Sequence, residues 1–135
     1  MDKALGLLGL ARKAGLIELG EEPVGAITRA GKAYLVVVAK DASDHTWRRS
    51  LSFVAGTAQQ CLRLPFTKAE VGLAVGRQEL AIGAITDPAL ALNFAKAIPG
   101  VKEEILTVLE EKTQRQTKHR KEAQAHARNV RKGKK

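Results

Sequence analysis

Two runs of this chain restrict its fold more than anything else in it: Tyr34-Leu35-Val36-Val37-Val38-Ala39 and Leu80-Ala81-Ile82-Gly83-Ala84-Ile85-Thr86. Both are apolar at consecutive rather than alternate positions. A strand with one wet face alternates, whereas a strand covered on both faces does not. Helices must therefore lie on both sides of the sheet that holds these runs, and the rest of the chain supplies them. Asp2 caps a helix to about Lys13 with an apolar face of Leu5, Leu7, Leu8, Leu10 and Ala11, and Gly15 ends it. Leu16–Leu19 reads as a short strand. Gly20-Glu21-Glu22-Pro23 turns into a second helix closed by Gly31-Lys32. Asp41–Asp44, with Asp44 as the capping candidate, precedes a third helix from about His45 to Gly56, and Cys61–Phe66 reads as a strand ended by Pro65. Thr67-Lys68-Ala69-Glu70 has capping-box spacing and opens a helix through Val75. Asp87-Pro88 starts another, to about Ala97. After Pro99-Gly100 a last apolar stripe, Ile105, Val108 and Leu109, fades into polar sequence. Short alternation of helices and strands argues an α/β layer architecture, a small buried sheet with helices on both faces. There is no internal repeat and no second core.

The chain has 135 residues, a length that suits one domain with its own core. Aromatic residues are only 4%, so that core is built from Leu, Val, Ile and Ala. The single cysteine, Cys61, excludes an internal disulfide and any zinc site needing two thiolates from this chain. No apolar run approaches the roughly 18 residues of a membrane span. The N-terminal segment could be taken for a signal peptide, but its apolar stretch covers only Ala4–Ala11 and contains two glycines. The expectation is an amphipathic helix of a cytoplasmic protein.

Charge is segregated. Residues 1–111 hold 13 basic and 13 acidic side chains, whereas residues 112–135 hold 10 basic and one acidic, Glu122. The whole formal charge of +9 thus sits in the last 24 residues. A neutral domain with a cationic arm is suited to an anionic polymer, and nucleic acid leads. A membrane surface fits less well, because the arm's only large aliphatic residue is Val130 and it has no aromatic to insert. The competing reading of the arm is a solubilising helical or disordered tail.

Nothing in the sequence assembles a catalytic or cofactor site. There is no phosphate loop with Lys-Ser/Thr; Gly6 and Gly9 lie within a helix. Ser43-Asp44-His45 are neighbours in sequence, which suits a helix cap better than a triad. His119 and His126 are two helical turns apart among repelling cations, too far for one metal. Cys61 lies in an apolar strand, as a packed thiol does. Glu21-Glu22 and Glu110-Glu111 complement helix ends or are solvated. The expectation is no enzyme, no cofactor and no metal. What remains is a set of loops on one side of the sheet: Glu18–Pro23, Lys40–Asp44 and Gly76–Glu79. The helix start near Glu21 offers free backbone N–H groups, and Arg12, Lys13, Lys40 and Arg77 supply charge around it.

The order of GLARKAG, GEEPVGAITRAGKAYLVVVAKDAS and TKAEVGLAVGRQELAIGAITDP resembles the kink-turn-binding ribosomal protein superfamily, in particular its bacterial, ribosome-associated YlxQ-type branch, over about Ala4 to Ala97. The resemblance implies a three-layer α/β/α sandwich with a small mixed sheet and binding to bent, structured RNA. It puts the RNA-reading loop on Gly20, Glu21, Glu22, Pro23 and Ala26. Where kink-turn readers carry an Asn-Glu pair and a lysine one turn later, this chain has Glu22, Pro23 and Ala26. A carboxylate there accepts hydrogen bonds from a guanine edge and repels phosphate. The second family loop falls on Arg77-Gln78-Glu79, where Arg77 is suited to stacking or to a phosphate.

The resulting expectation is an RNA-binding domain over residues 1–98 and a basic extension over 99–135. Its RNA-binding residues are Arg12, Lys13, Gly20, Glu21, Glu22, Lys40, Asp41, Arg77 and Gln78 in the domain. In the extension they are Lys118, Arg120, Lys121, Arg128 and Arg131. The partner is structured RNA, ribosomal RNA first, with ribosomal proteins as further partners and no membrane. Two other classes compete: a protein-interaction module of the translation apparatus, and a detached substrate-binding subunit of an enzyme.

Overall fold

The computed structural model describes the backbone of residues 2–133 and the side-chain surroundings of residues 2–123. Ten elements follow one another: α1 Lys3–Ala14, β1 Ile17–Leu19, α2 Glu21–Arg29, β2 Leu35–Val38, α3 Asp44–Val54, β3 Gln60–Arg63, α4 Lys68–Ala74, β4 Ile82–Ile85, α5 Pro88–Lys96 and α6 Glu103–Gly133.

Local chemistry sets most boundaries. The Asp2, Thr67 and Asp87 side chains accept from the first-turn amides of α1, α4 and α5, and at α4 the Glu70 carboxylate completes a capping box. Gly15 ends α1 at φ 70°. At α3 the cap is Ser43, whose Oγ accepts from Thr46 N–H at 3.1 Å, while Asp44 is already in the first turn, where its charge suits the helix dipole. That helix stops at Val54, and β3 stops at Arg63, both short of their sequence-based ends.

The sheet runs β1-β4-β2-β3. β4 is antiparallel to both β1 and β2, and β3 lies parallel to β2. It is the expected small mixed sheet, and the two long apolar runs are its central pair. Every residue of β2 and β4 is buried. Leu35, Val37 and Ile85 face a core formed with α1, α4, α5 and the start of α6; Val36, Val38, Ile82 and Ala84 face a second core under α2 and α3, so the single core expected from the sequence is divided in two by the sheet. Three layers result. Full burial of each Leu, Ile or Val among these strand residues stabilises the fold by about 1.5–3 kcal/mol.

The extension is helical. α6 turns back along α5 after Pro99-Gly100 and buries Ile105 and Leu109 in the larger core. Gln116 Nε2 reaches Asp87 Oδ1 at 3.4 Å, which brings the middle of α6 beside the start of α5. The two helices are therefore antiparallel, and α6 continues past that end of the sandwich.

Gly72 marks the tightest contact with the loop that leads into β4. A Cβ at this position would lie 2.4 Å from the Glu79 Cα, which is backbone and cannot swing away. Gly72→Ala is expected to cost about 1–3 kcal/mol, as overpacking does, and to displace Arg77–Glu79. A thermal melt measures the first effect, and amide exchange in residues 76–80 the second.

Candidate RNA interface

The strand directions decide which loops meet. β1, β2 and β3 run the same way, and β4 runs against them with Ile82 opposite Val38 and Gly83 opposite Leu19. The exits of the first three strands and the entrance of β4 therefore share one pole. Backbone bonds tie these loops together: Gly20 N–H to Ile82 O at 3.0 Å, Ala39 N–H to Ala81 O at 2.9 Å, Lys40 N–H to Phe66 O at 2.8 Å and Leu80 N–H to Lys68 O at 2.9 Å.

At this pole Gly20 sits at φ 99°, ψ 160°, a conformation reserved for glycine. It is the N-cap of α2 and has no side chain with which to cap it, so the first amides of α2 face outward uncapped. Glu22, Pro23 and Ala26 are exposed on the opening turns, while Val24 and Gly25 point into the core. Glu21 is engaged: its Oε1 accepts from Arg49 Nε at 2.8 Å, and the Arg49 guanidinium lies 5.0 Å from the centre of the Phe53 ring. Both partners are well exposed, so this pair orients the carboxylate more than it stabilises the fold. Lys40 is exposed. Asp41 is used structurally, with Oδ1 accepting from Lys68 N–H at 2.7 Å. Arg77, Gln78 and Glu79 form an exposed loop beside them.

The structure brings together Gly20, Glu21, Glu22, Lys40, Asp41, Arg77 and Gln78 of the expected set. Arg12 and Lys13 stand apart, in a shallow groove between α1 and the end of α4 that reaches Gly76. Lys118, Arg120 and Lys121 are exposed on α6 beyond the opposite pole, next to the β4–α5 side. Arg128 and Arg131 lie outside the described side chains.

One arginine at the loop pole was not expected there. Arg63 ends β3 opposite Val38, lies 5.5 Å from the centre of the Trp47 ring and donates from Nη2 to the Lys40 carbonyl at 3.2 Å. A planar cation backed by an indole, next to Lys40, is suited to a phosphate or a base face. In sequence its only mark is its place between Leu62 and Leu64 in an apolar strand.

Among the described residues no group of His, Cys, Asp and Glu is placed to hold a metal ion, and no helix is long and apolar enough to cross a membrane. The Cys61 thiol is pushed above its ordinary range by burial, with hydrogen bonds to Ser50 and the Leu62 backbone working the other way. It lies 3.3 Å from Ser50 Oγ. A thiol held protonated in this way is a poor nucleophile.

The chain is 35% identical over 99 residues to the RNA-binding protein YlxQ of Enterococcus faecium, a match spanning 73% of this chain and 94% of that protein. Among solved structures it is similar to a protein of unknown function from Bacillus halodurans C, at 27% identity and a TM-score of 0.68, covering 72% of this chain and 97% of that one. It also shares a fold with the 15.5 kD RNA-binding protein of Giardia lamblia, at 20% identity and a TM-score of 0.60, covering 74% and 85% of the two chains. No protein-family model matches the chain. The YlxQ-type resemblance read from the sequence is borne out by the first of these relatives, and because the match takes in nearly all of that protein, the chain belongs to the YlxQ family.

Proposed function

We propose that this chain is a non-catalytic RNA-binding protein that recognises structured RNA at the loop pole and gains phosphate affinity from the basic part of α6. The observation that carries the reading is one pole shared by three loops, which hold Gly20, Lys40 and Arg77, and by the uncapped start of α2, with Arg63 beside Lys40. A family member with the same function in its name supports it.

The pole suits shape recognition rather than simple charge attraction. Its cations alternate with Glu22, Asp41 and Glu79, so a phosphate chain is not held uniformly along it. Outward amides and a carboxylate at Glu22 match the hydrogen-bonding edges of a splayed or sheared base, and a bent RNA of the kink-turn kind presents such edges. Ribosomal RNA in the cytoplasm is the target this reading favours, with ribosomal proteins as neighbours. The domain of residues 1–98 then reads shape, and the basic extension of 99–135 supplies affinity.

Two measurements separate these roles. Replacing Lys118, Arg120 and Lys121 together by Gln should reduce the log–log salt slope of RNA binding by roughly 2, at about 0.7–0.9 per lost phosphate contact. The preference for a sharply bent RNA over a plain duplex should survive. Gly20→Val should do the reverse, removing that preference while leaving the slope nearly unchanged, at a stability cost of about 1–3 kcal/mol from the disallowed backbone angle. Filter binding of both RNAs across a salt series reads both effects, and an unchanged preference in the folded Gly20 variant removes this loop from the interface.

A further inference from the structure

The pole opposite the loops carries a cleft whose lining includes Lys118 and Arg120 of the basic part of α6. Tyr34, half-buried at the entrance to β2, is its floor. The backbone of Tyr34 is fixed on both sides, its N–H donating to Ile85 O at 2.9 Å and its carbonyl accepting from Gln60 N–H at 3.2 Å. α6 forms one wall. Lys112, Arg115 and His119 follow one another along it and share with Tyr34 an open cavity of about 770 Å³, which Glu122 borders at its outer end. A second cavity of about 280 Å³ also has Tyr34 and Lys112 in its lining and continues the cleft to Arg29 and Gly31.

This cleft has a rigid base. Buried Gln59 receives the Ala33 N–H on Oε1 at 3.0 Å and donates from Nε2 to Thr28 O at 3.1 Å, locking the α2–β2 turn to the start of β3. Gln116 ties α6 to Asp87 on the far side. The arrangement is therefore an aromatic ring on a fixed backbone, with Lys112, Arg115 and the imidazole of His119 spaced along one helix for about 10 Å.

We propose that this cleft binds single-stranded RNA, one base stacking on Tyr34 while adjoining phosphates pair with Lys112 and Arg115. The inference rests on the reading of the chain as an RNA binder and adds to it a second site at the other pole. Paired bases in a duplex offer no free face to a half-buried ring, whereas unpaired bases do, and alternation of aromatic and cationic groups is how single strands are held. With both poles occupied, one chain joins a folded RNA element to an unpaired segment.

The test uses the full chain and a fluorescently labelled uridine oligonucleotide, followed by anisotropy. Tyr34→Ala should weaken oligonucleotide binding about tenfold, within the range for loss of one stacked base, and Tyr34→Phe should keep it. Because Tyr34 also packs against the core, the pair Lys112→Gln and Arg115→Gln gives a second readout: the salt slope should fall by about 1.4. Neither change should alter the preference between bent and straight RNA. Folded RNA should stay bound at the loop pole when the oligonucleotide saturates, with a smaller salt slope because Lys118 and Arg120 border the cleft.

Wild-type affinity in folded Tyr34→Ala overturns the proposal. So does one-for-one displacement of the folded RNA, or competition by polyglutamate of matched charge as effective as that by RNA, which would point to an acidic protein instead. Binding of folded RNA without binding of the oligonucleotide rejects the cleft alone, while binding of neither rejects the functional reading with it.

Discussion

The structure depends on the antiparallel pairing of β2 with β4, two strands with no wet face. Leu35 lies opposite Ile85 and Val38 opposite Ile82, so side chains of each parity enter a different core and both cores share one sheet. A slip of one residue would exchange the two sets, and because every position is apolar, the pattern alone penalises it little. Register is held from the ends instead: Gly20 and Ala39 bond to Ile82 and Ala81 at one pole, and Tyr34 bonds to Ile85 at the other. The groups that fix the sheet are thus the same ones that place the loop pole and the Tyr34 cleft. Polar interfaces on a small α/β/α protein are well placed at strand ends, since the strand centres are fully enclosed.

Much of this was legible in the sequence, for reasons that are local. Asp2, Gly15, Thr67 with Glu70, and Asp87 with Pro88 act within four residues of themselves, so their spacing alone locates helix ends. The two uninterrupted apolar runs locate the buried strands by the same kind of short-range signal. Ser43 and Asp44 are both good caps, and only the backbone angle at which the chain enters the helix chooses between them. Strand order was not legible. The insertion of β4 between β1 and β2 depends on how two cores close, and it brings the loop that leads into β4 to the same pole as Gly20. Arg63 shows the same limit: its nearness to Lys40 follows from a parallel register between positions 23 apart in the chain. The direction of α6 was hidden for another reason. Charge locates a cationic segment but carries no information about which pole a helix leaves from, and that is fixed by Ile105, Leu109 and the Gln116–Asp87 contact.

Separation of charge from the core has an energetic logic. Ten cations on the sandwich itself would repel one another across a small surface and destabilise the compact state. Placed in sequence after Leu109, the last buried residue among those described, they cost the core little, and residues 110–123 are exposed or only partly buried. Helix formation there has little packing behind it, so it draws on the good propensities of Glu, Lys, Gln, Arg and Ala and on anchorage of the first turns.

The two poles also differ in how far each feels the other. The sheet between them is four residues deep, or roughly 13 Å at strand rise, and connecting loops add to that. This exceeds the Debye length of about 8 Å at physiological ionic strength. At such salt, carboxylates around Glu22 therefore see little of the α6 cations, and each pole meets its ligand on its own terms. Under the proposed function, local repulsion of phosphate by Glu22 would act as a filter against RNA that offers only backbone, while the α6 cations would attract any RNA. In low salt the screening length grows to about 30 Å at 0.01 M, the α6 field reaches the loop pole, and that filter weakens. The proposed function therefore implies that discrimination by shape would be strongest where overall affinity is not at its maximum, because the α6 cations and the Glu22 carboxylate stand at opposite ends of one short sheet.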